Sequence, residues 1–345
     1  MSIKKIIYFL IAFSFAGKIC FSSEINLRNT VDGKLFLDSL FNKENNISLL
    51  ADEIEVLSLD ISSFQIEPLT LNAYLSYFSS LDNKYSIHSV AERLTFYSLP
   101  VFLETKAVLL KYLAIEDLLN SRISSAKQKM EATLFICQLK RKDLEAATMA
   151  TALSKLAFLQ QQKEAAFLNN SLAINAYEHI KLEPELINSL FWQTNLFYED
   201  NRFKEAEEML LKRVLMKSFR LRDQNSEMQA YYQLGKNYLA MRKKTEALWF
   251  FLQARELAKK LKYKEDELKC LLMISKLKVN EGNFSLALSD LKEAEKIIVG
   301  DPSLIIYNID LSKQLSDLYR ILGVTAQKQT YSLRFSQLKQ DFLNN

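Results

Sequence analysis

His88 and His179 are the only imidazoles in the 345-residue chain. Neither has a cysteine or a second histidine at ligand spacing, so no set of groups stands ready to hold a metal or work as a His-based acid–base pair. His179 lies in the helical stretch NAYEHIK and reads as a surface or groove histidine. Carboxylate pairs such as Glu207 and Glu208 fall on helix faces, where they read as ordinary solvated charge. Neither a G-x-S-x-G elbow nor a Gly-rich phosphate loop is present, and 6 glycines leave little material for one. No catalytic residue, metal site or cofactor is expected. What remains is non-covalent binding.

The charges set limits on what is bound. Lys4 and Lys5 precede an apolar run over residues 6–17, and small or polar residues surround Cys20, Ser22 and Ser23. That layout is a secretory signal peptide over 1–23, with an apolar stretch too short to span a membrane. Ile19 and Gly17 depart from the pattern before a lipidated cysteine, so simple cleavage after Ser22 or Ser23 is expected, and a periplasmic or secreted chain. No later segment reaches about 20 uninterrupted apolar residues, so no transmembrane helix is expected in the mature chain. Loss of Lys4, Lys5 and Lys18 takes the formal charge from +4 to +1. Export and near-neutrality argue against nucleic acid. Residues 24–105 carry 5 basic and 12 acidic side chains, whereas 201–265 carry 16 basic and 8 acidic. An acidic partner is one use of that basic stretch, and attenuation by the acidic head is another.

The elements that would position these groups are helices. Six glycines and 4 prolines make ten breakers, where ordinary usage would give roughly 40. Hydrophobic residues at 49% and charged ones at 25% are globular values. No window alternates strictly enough to demand a strand. Residues 231–254 read Tyr231-x2-Leu234-Gly235-x2-Tyr238, then Ala247-x3-Phe251-x2-Ala254. Ala126, Ala166, Ala206, Ala247 and Ala287 recur at 40 or 41 residues, and Lys328 continues the series. Small Gly235 and Ala247 let two antiparallel helices approach while large residues fill the seams.

This pattern resembles a tetratricopeptide (TPR) repeat, and the likeness over 182–345 is to exported TPR proteins of Bacteroidetes-type bacteria. It implies an all-α, right-handed α-solenoid of helical hairpins over 106–345. The period exceeds 34, so each helix is expected to be longer by about three residues, roughly 4.5 Å. A HEAT-like array has a similar period, but the Gly and Ala placement favours TPR-like packing. Residues 24–105 are expected to be a helical N-terminal cap or degenerate repeats. Pro100, Pro184 and Pro302 fall near starts of first helices, Asp301 is a candidate N-cap, and Gly282 and Gly323 mark turns. Cys137 and Cys270 stand more than three units apart and are expected to be buried thiols. Phe251 is expected in the core, with Trp249 or Phe250 packing on the next unit, and Phe191 and Trp192 in packing roles.

The resemblance further implies a concave face of first helices that holds a protein or peptide, with an acidic segment suited to its lysines. Transferred by position, that face comprises Asn195, Tyr198, Tyr232, Lys236, Lys269 and Lys276. The family's carboxylate clamp is not reproduced, since Gln233 and Met273 stand where Asn and a basic residue would be needed. The ending YSLRFSQLKQDFLNN is similar to a last helix that leads into a transmembrane helix and coiled coil. A sensor signalling through a separate membrane partner, or a scaffold in envelope or secretion assembly, are the alternative functions.

Overall fold

The computed structural model describes residues 24–25, 59–60, 103–120 and 122–344. The expected signal segment with Cys20, and most of 24–105 with His88 and Pro100, lie outside them. Two compact units are distinguished. The first holds a two-residue antiparallel pairing, β1 (Glu24–Ile25) with β2 (Leu59–Asp60), too short to leave an alternating pattern in sequence. It also holds helices α1 (Leu103–Leu119) and α2 (Ile123–Leu139), which pack as a hairpin. Its buried Asp117 is neutralised by Lys129 at 2.6 Å and Arg122 at 2.8 Å, which hold its carboxyl below the usual range against the cost of burial.

The second unit is a series of hairpins. They are α3 (Asp143–Leu159) with α4 (Lys163–His179), and α5 (Glu183–Glu199) with α6, which begins at Phe203. Next come α7 (Gln224–Ala240) with α8 (Lys244–Leu261), and α9 (Lys264–Asn280) with α10 (Phe284–Ile298). The last pair is α11 (Ile305–Ile321) and α12 (Thr325–Asn344). First helices begin at 143, 183, 224, 264 and 305, so the 40- and 41-residue steps of the sequence are the hairpin repeat of a TPR-like α-solenoid. Ala126, Ala166, Ala206, Ala247 and Ala287 each sit in the first turn of a second helix with no exposed surface. The α7–α8 contact is the closest kind: a Cβ on Gly235 would lie 2.7 Å from the Phe251 ring. Phe251 is fully buried, while Phe191 and Trp192 are 6% and 5% exposed. Cys137 and Cys270 are both buried thiols.

Helices of about seventeen residues joined by two or three residues require an abrupt reversal. At these short joints of the second unit one residue adopts a left-handed conformation: Gln161, Lys181, Asn201, Arg222, Arg242 and Lys262, then Gly282 and Gly323. The bonding is the same throughout. At the α3–α4 joint, Gln161 N–H donates to Phe158 O and Gln162 N–H to Ala157 O, while Gln162 O accepts from Ala166 N–H. The residue that closes one helix therefore caps the next, which satisfies exposed backbone groups of both. This changes the account of glycine scarcity. Long helices are half of it, and side chains with a Cβ held in the left-handed region are the other half.

The two 41-residue steps have separate causes. Helix α6 runs as Phe203–Met209, a π-helical segment Leu210–Leu215, and Met216–Leu221, so a bulge absorbs one additional residue. Between α10 and α11 the connection is longer, with Gly300 at φ +80° and a 3-10 turn Pro302–Leu304 capped by Asp301 through Ser303 N–H at 3.1 Å. Pro184 lies in the first turn of α5, where a missing N–H is harmless.

One packing expectation is corrected. Trp249 and Phe250 do not reach the next hairpin for their aromatic partners but stay within their own. Phe250 stacks on Tyr238 of α7 at 5.2 Å, and Trp249 meets Phe250 edge-on at 4.8 Å. Consecutive residues on a helix diverge by about 100°, and the wide face of α7, with Tyr231 and Tyr238, accommodates both.

Candidate binding face

Because the hairpins repeat, equivalent positions on first helices align. One such position holds Lys155 on α3, Asn195 on α5, Lys236 on α7, Lys276 on α9 and Asp317 on α11, at steps of 40, 41, 40 and 41. All five are half-buried. Lys155 Nζ lies 5.9 Å from the Trp192 ring and Lys236 Nζ 5.4 Å from the Tyr198 ring, both rings belonging to α5. Asn195 thus stands between two aromatic residues of its own helix, each approached by a lysine of a different neighbouring first helix. Such contacts contribute about 0.5–1 kcal/mol at exposed sites and restrict where the ammonium groups can go. The Trp192 indole is itself fixed from below: Nε1–H donates to Ser154 Oγ at 2.7 Å, and Ser154 donates to Ala166 O at 2.6 Å.

Glu199 ends α5 beside this group. Partial desolvation raises its carboxyl above the usual range although the side chain still reaches water, and Lys236 and Lys163 pull the other way. Local positive charge therefore sits against one reluctant carboxylate.

The six residues expected from sequence do not form one row. Asn195, Lys236 and Lys276 share the repeat position just described, and Tyr198 joins them through its ring. Tyr232 faces inward, edge-on to Phe251 of α8 at 5.5 Å, and belongs partly to the hairpin seam. Lys269 is engaged by Glu265 at 3.4 Å and Asp266 at 3.7 Å and lies 5.9 Å over Tyr307, whose hydroxyl donates to Glu265 at 2.6 Å. Burial pushes Lys276 down, opposed by Asp310, and burial pushes Asp310 up, opposed by Lys276. Asp310 also accepts from Gln314 Nε2 at 3.1 Å, and Gln314 Oε1 accepts from Ser275 Oγ at 2.6 Å. Lys155 and Asp310 were not anticipated. Counting 40 back from Asn195 and 41 on from Lys269 would have found them.

Part of the basic stretch 201–265 is paired on second helices. Arg213 pairs with Glu178, Lys217 and Arg220 with Glu183 at 2.7 and 2.9 Å, and Arg255 with Glu293 at 2.6 Å. His179 is exposed, 2.9 Å from Asp143 Oδ2. Among the described residues there is no group of three or more His, Cys, Asp or Glu placed to hold a metal, and no helix long and apolar enough to cross a membrane.

No protein-family model matches the chain, and no curated protein matches it. Among solved structures it is similar to the apo form of RapI, with a TM-score of 0.51 and 12% identity over 70% of this chain and 100% of that one. It is similar to BtubC (BKLC) from P. vanneervenii, with a TM-score of 0.50 and 18% identity over 61% of this chain and 86% of the other. An array of nearly identical TPR-like repeats of kinesin light chain type, from Podosopora anserina, gives 0.46 and 17% over 58% and 97%. At such identities the likeness is one of fold.

Proposed function

We propose that this chain is an exported TPR-like binding protein that holds an extended protein or peptide segment across its first helices. An acidic group of that segment lies between Lys155 and Lys236, beside Asn195. The observation that supports this reading is the polar position repeated on successive first helices, with two of its lysines leaning on aromatic rings of α5. An asparagine amide both donates and accepts, so it suits a peptide backbone. Flanking ammonium groups favour a carboxylate.

Helix spacing sets the ligand's register. Neighbouring helices sit about 8–10 Å apart, and an extended chain rises about 3.3 Å per residue. Each first helix therefore meets roughly every third residue, and the ladder from Lys155 to Lys276 accommodates about ten.

The test begins with recovery of the partner from the native envelope by the mature chain, followed by titration of its contacting segment. Lys155→Glu with Lys236→Glu is expected to weaken binding on the order of 100-fold, the equivalent of two contacts of about 1.4 kcal/mol each. Unchanged affinity sinks the first-helix reading. Export is tested separately by the amino-terminal sequence of the chain recovered from cells. A start near Ser23 supports it, and a retained Met1 overturns it.

A further inference from the structure

Several second helices expose apolar side chains, Phe135 and Leu139 on α2 and Leu168 and Leu172 on α4 among them, and α6 carries such a group beside a cluster of basic residues. Met216 and Phe219 on α6 are 65% and 49% exposed. After the π-helical segment, α6 aligns with α4 at an offset of 41 and with α8 at 40. Met216 therefore corresponds to Asn175 and Glu256, and Phe219 to Glu178 and Lys259. On the two flanking second helices these solvent positions are polar or charged. Leu221, 43% exposed, extends the apolar patch toward the joint.

Its surroundings are basic. Arg220 is largely exposed even while it bonds Glu183 at 2.9 Å. Arg222, Lys259 and Lys260 are exposed as well. Of the nearby carboxylates, Glu178 is engaged by Arg213 and Glu183 by Lys217 and Arg220, which leaves exposed Glu256 of α8 as an acidic group set among Arg220, Arg222, Lys259 and Lys260. These pairs hold the long cationic side chains in defined places, as a patterned partner requires and a diffuse lipid surface does not. An apolar centre within a charged rim is the usual anatomy of a protein interface.

We infer that the solvent face of α6 is a second docking surface, distinct from the first-helix face, for an acidic polypeptide segment of another protein that inserts an apolar side chain against Met216 and Phe219. Charge complementarity selects the occupant: an acidic segment gains from the rim, whereas a second copy would bring the same basic rim against it. The π-helical segment ends where Met216 begins, so it takes up the added residue of α6 before the patch and leaves the patch aligned with α4 and α8.

The full-length chain is expressed in its native host with p-benzoylphenylalanine in place of Met216, and the crosslinked segment is sequenced. Support requires a segment of another protein with net negative charge. As a synthetic peptide it must bind the full chain with a Kd raised at least tenfold by Phe219→Glu, and about tenfold by Lys259→Glu with Lys260→Glu. Lys155→Glu with Lys236→Glu must leave that Kd unchanged, which separates this surface from the first-helix face. Crosslinking to a second copy, to residues 24–105 of the chain itself, to phospholipid, to a neutral or basic segment, or to nothing overturns the proposal. Phe219→Ser, at a solvent position, replaces Phe219→Glu if the latter lowers the melting temperature.

Discussion

The first helices and the second helices of the same hairpins carry two different kinds of information. On the first-helix face the informative residues recur: Lys155, Asn195, Lys236 and Lys276 stand at one position in successive units. On the second-helix face the informative residues break the pattern of their neighbours: Met216 and Phe219 stand where α4 and α8 carry polar residues, and an exposed apolar side chain returns at the Met216 position only two hairpins earlier, as Phe135. A recurring group suits a ligand that is itself periodic, such as an extended chain. A group that departs from both its neighbours marks a place. The same scaffold thus presents a ladder on one side and a landmark on the other.

The largest expected effect removes what both sides share. Phe251→Ala empties a fully buried site that also seats Gly235, at about 3–5 kcal/mol by denaturant titration. Both binding faces should weaken together, because Phe251 seats α7 and α6 packs against α7. If binding at one side persisted after the α7–α8 hairpin loosened, the two faces would not share a scaffold.

Next in size is a crossed pair of surface variants. Lys155→Glu with Lys236→Glu should cost on the order of 100-fold at the first-helix face, about 2.7 kcal/mol, and nothing at α6. Phe219→Glu should show the reverse, at tenfold or more. Titration calorimetry of both variants against both segments reads the four values, and any cross-effect beyond about twofold erases the distinction.

Smaller is the contact that ties α6 to α7. Tyr238 donates to Glu207, and burial together with that bond pushes its phenol up to about 12. A raised folded-state value favours the protonated phenol. Its stabilisation is therefore complete below pH 10 and is lost as pH climbs from 10 through 12. Tyr238→Phe should cost about 1 kcal/mol at pH 7, and the gap from the parent chain should close by pH 12. A constant gap across that window would assign the loss to packing.

The smallest effect is a gain. Arg242 holds a left-handed conformation at φ 62° in the α7–α8 joint. Arg242→Gly should stabilise by about 0.5–1 kcal/mol in thermal melting, with both affinities unaltered.

Residue types announce some of these features and conceal others. The repeat was legible because Ala166, Ala206, Ala247 and Ala287 occupy places where only a small side chain lets helices meet, and Gly235 against Phe251 was legible for the same reason. Steric necessity leaves a mark in residue type. Arg141, Gln161, Lys181 and Asn201 left none, since their turns are closed by backbone N–H groups that any residue but proline supplies. Lys155 has no distinguishing neighbour in sequence, and only the 40-residue step to Asn195 points to its place beside Trp192. The π-helical segment showed only as a step of 41 where 40 was usual, which locates an added residue without saying how a helix absorbs it. Trp249 and Phe250 were misplaced because helix geometry fixes their divergence but not which neighbour is broad enough to receive both.

The shared cap at each joint, where one residue closes a helix and opens the next, has a consequence for how such a chain changes over generations. A joint made from main chain places little demand on side chains, so lysine, arginine, glutamine and asparagine serve there as glycine does. Units can drift apart in sequence while the reversal between them stays the same. A stretch of 40 residues cut at equivalent joints carries its own closure at both ends, so it can be copied or lost with disturbance confined to one neighbouring interface. What lengthens or shortens under such exchange is the ladder on the first helices; the landmark on α6 travels whole or not at all.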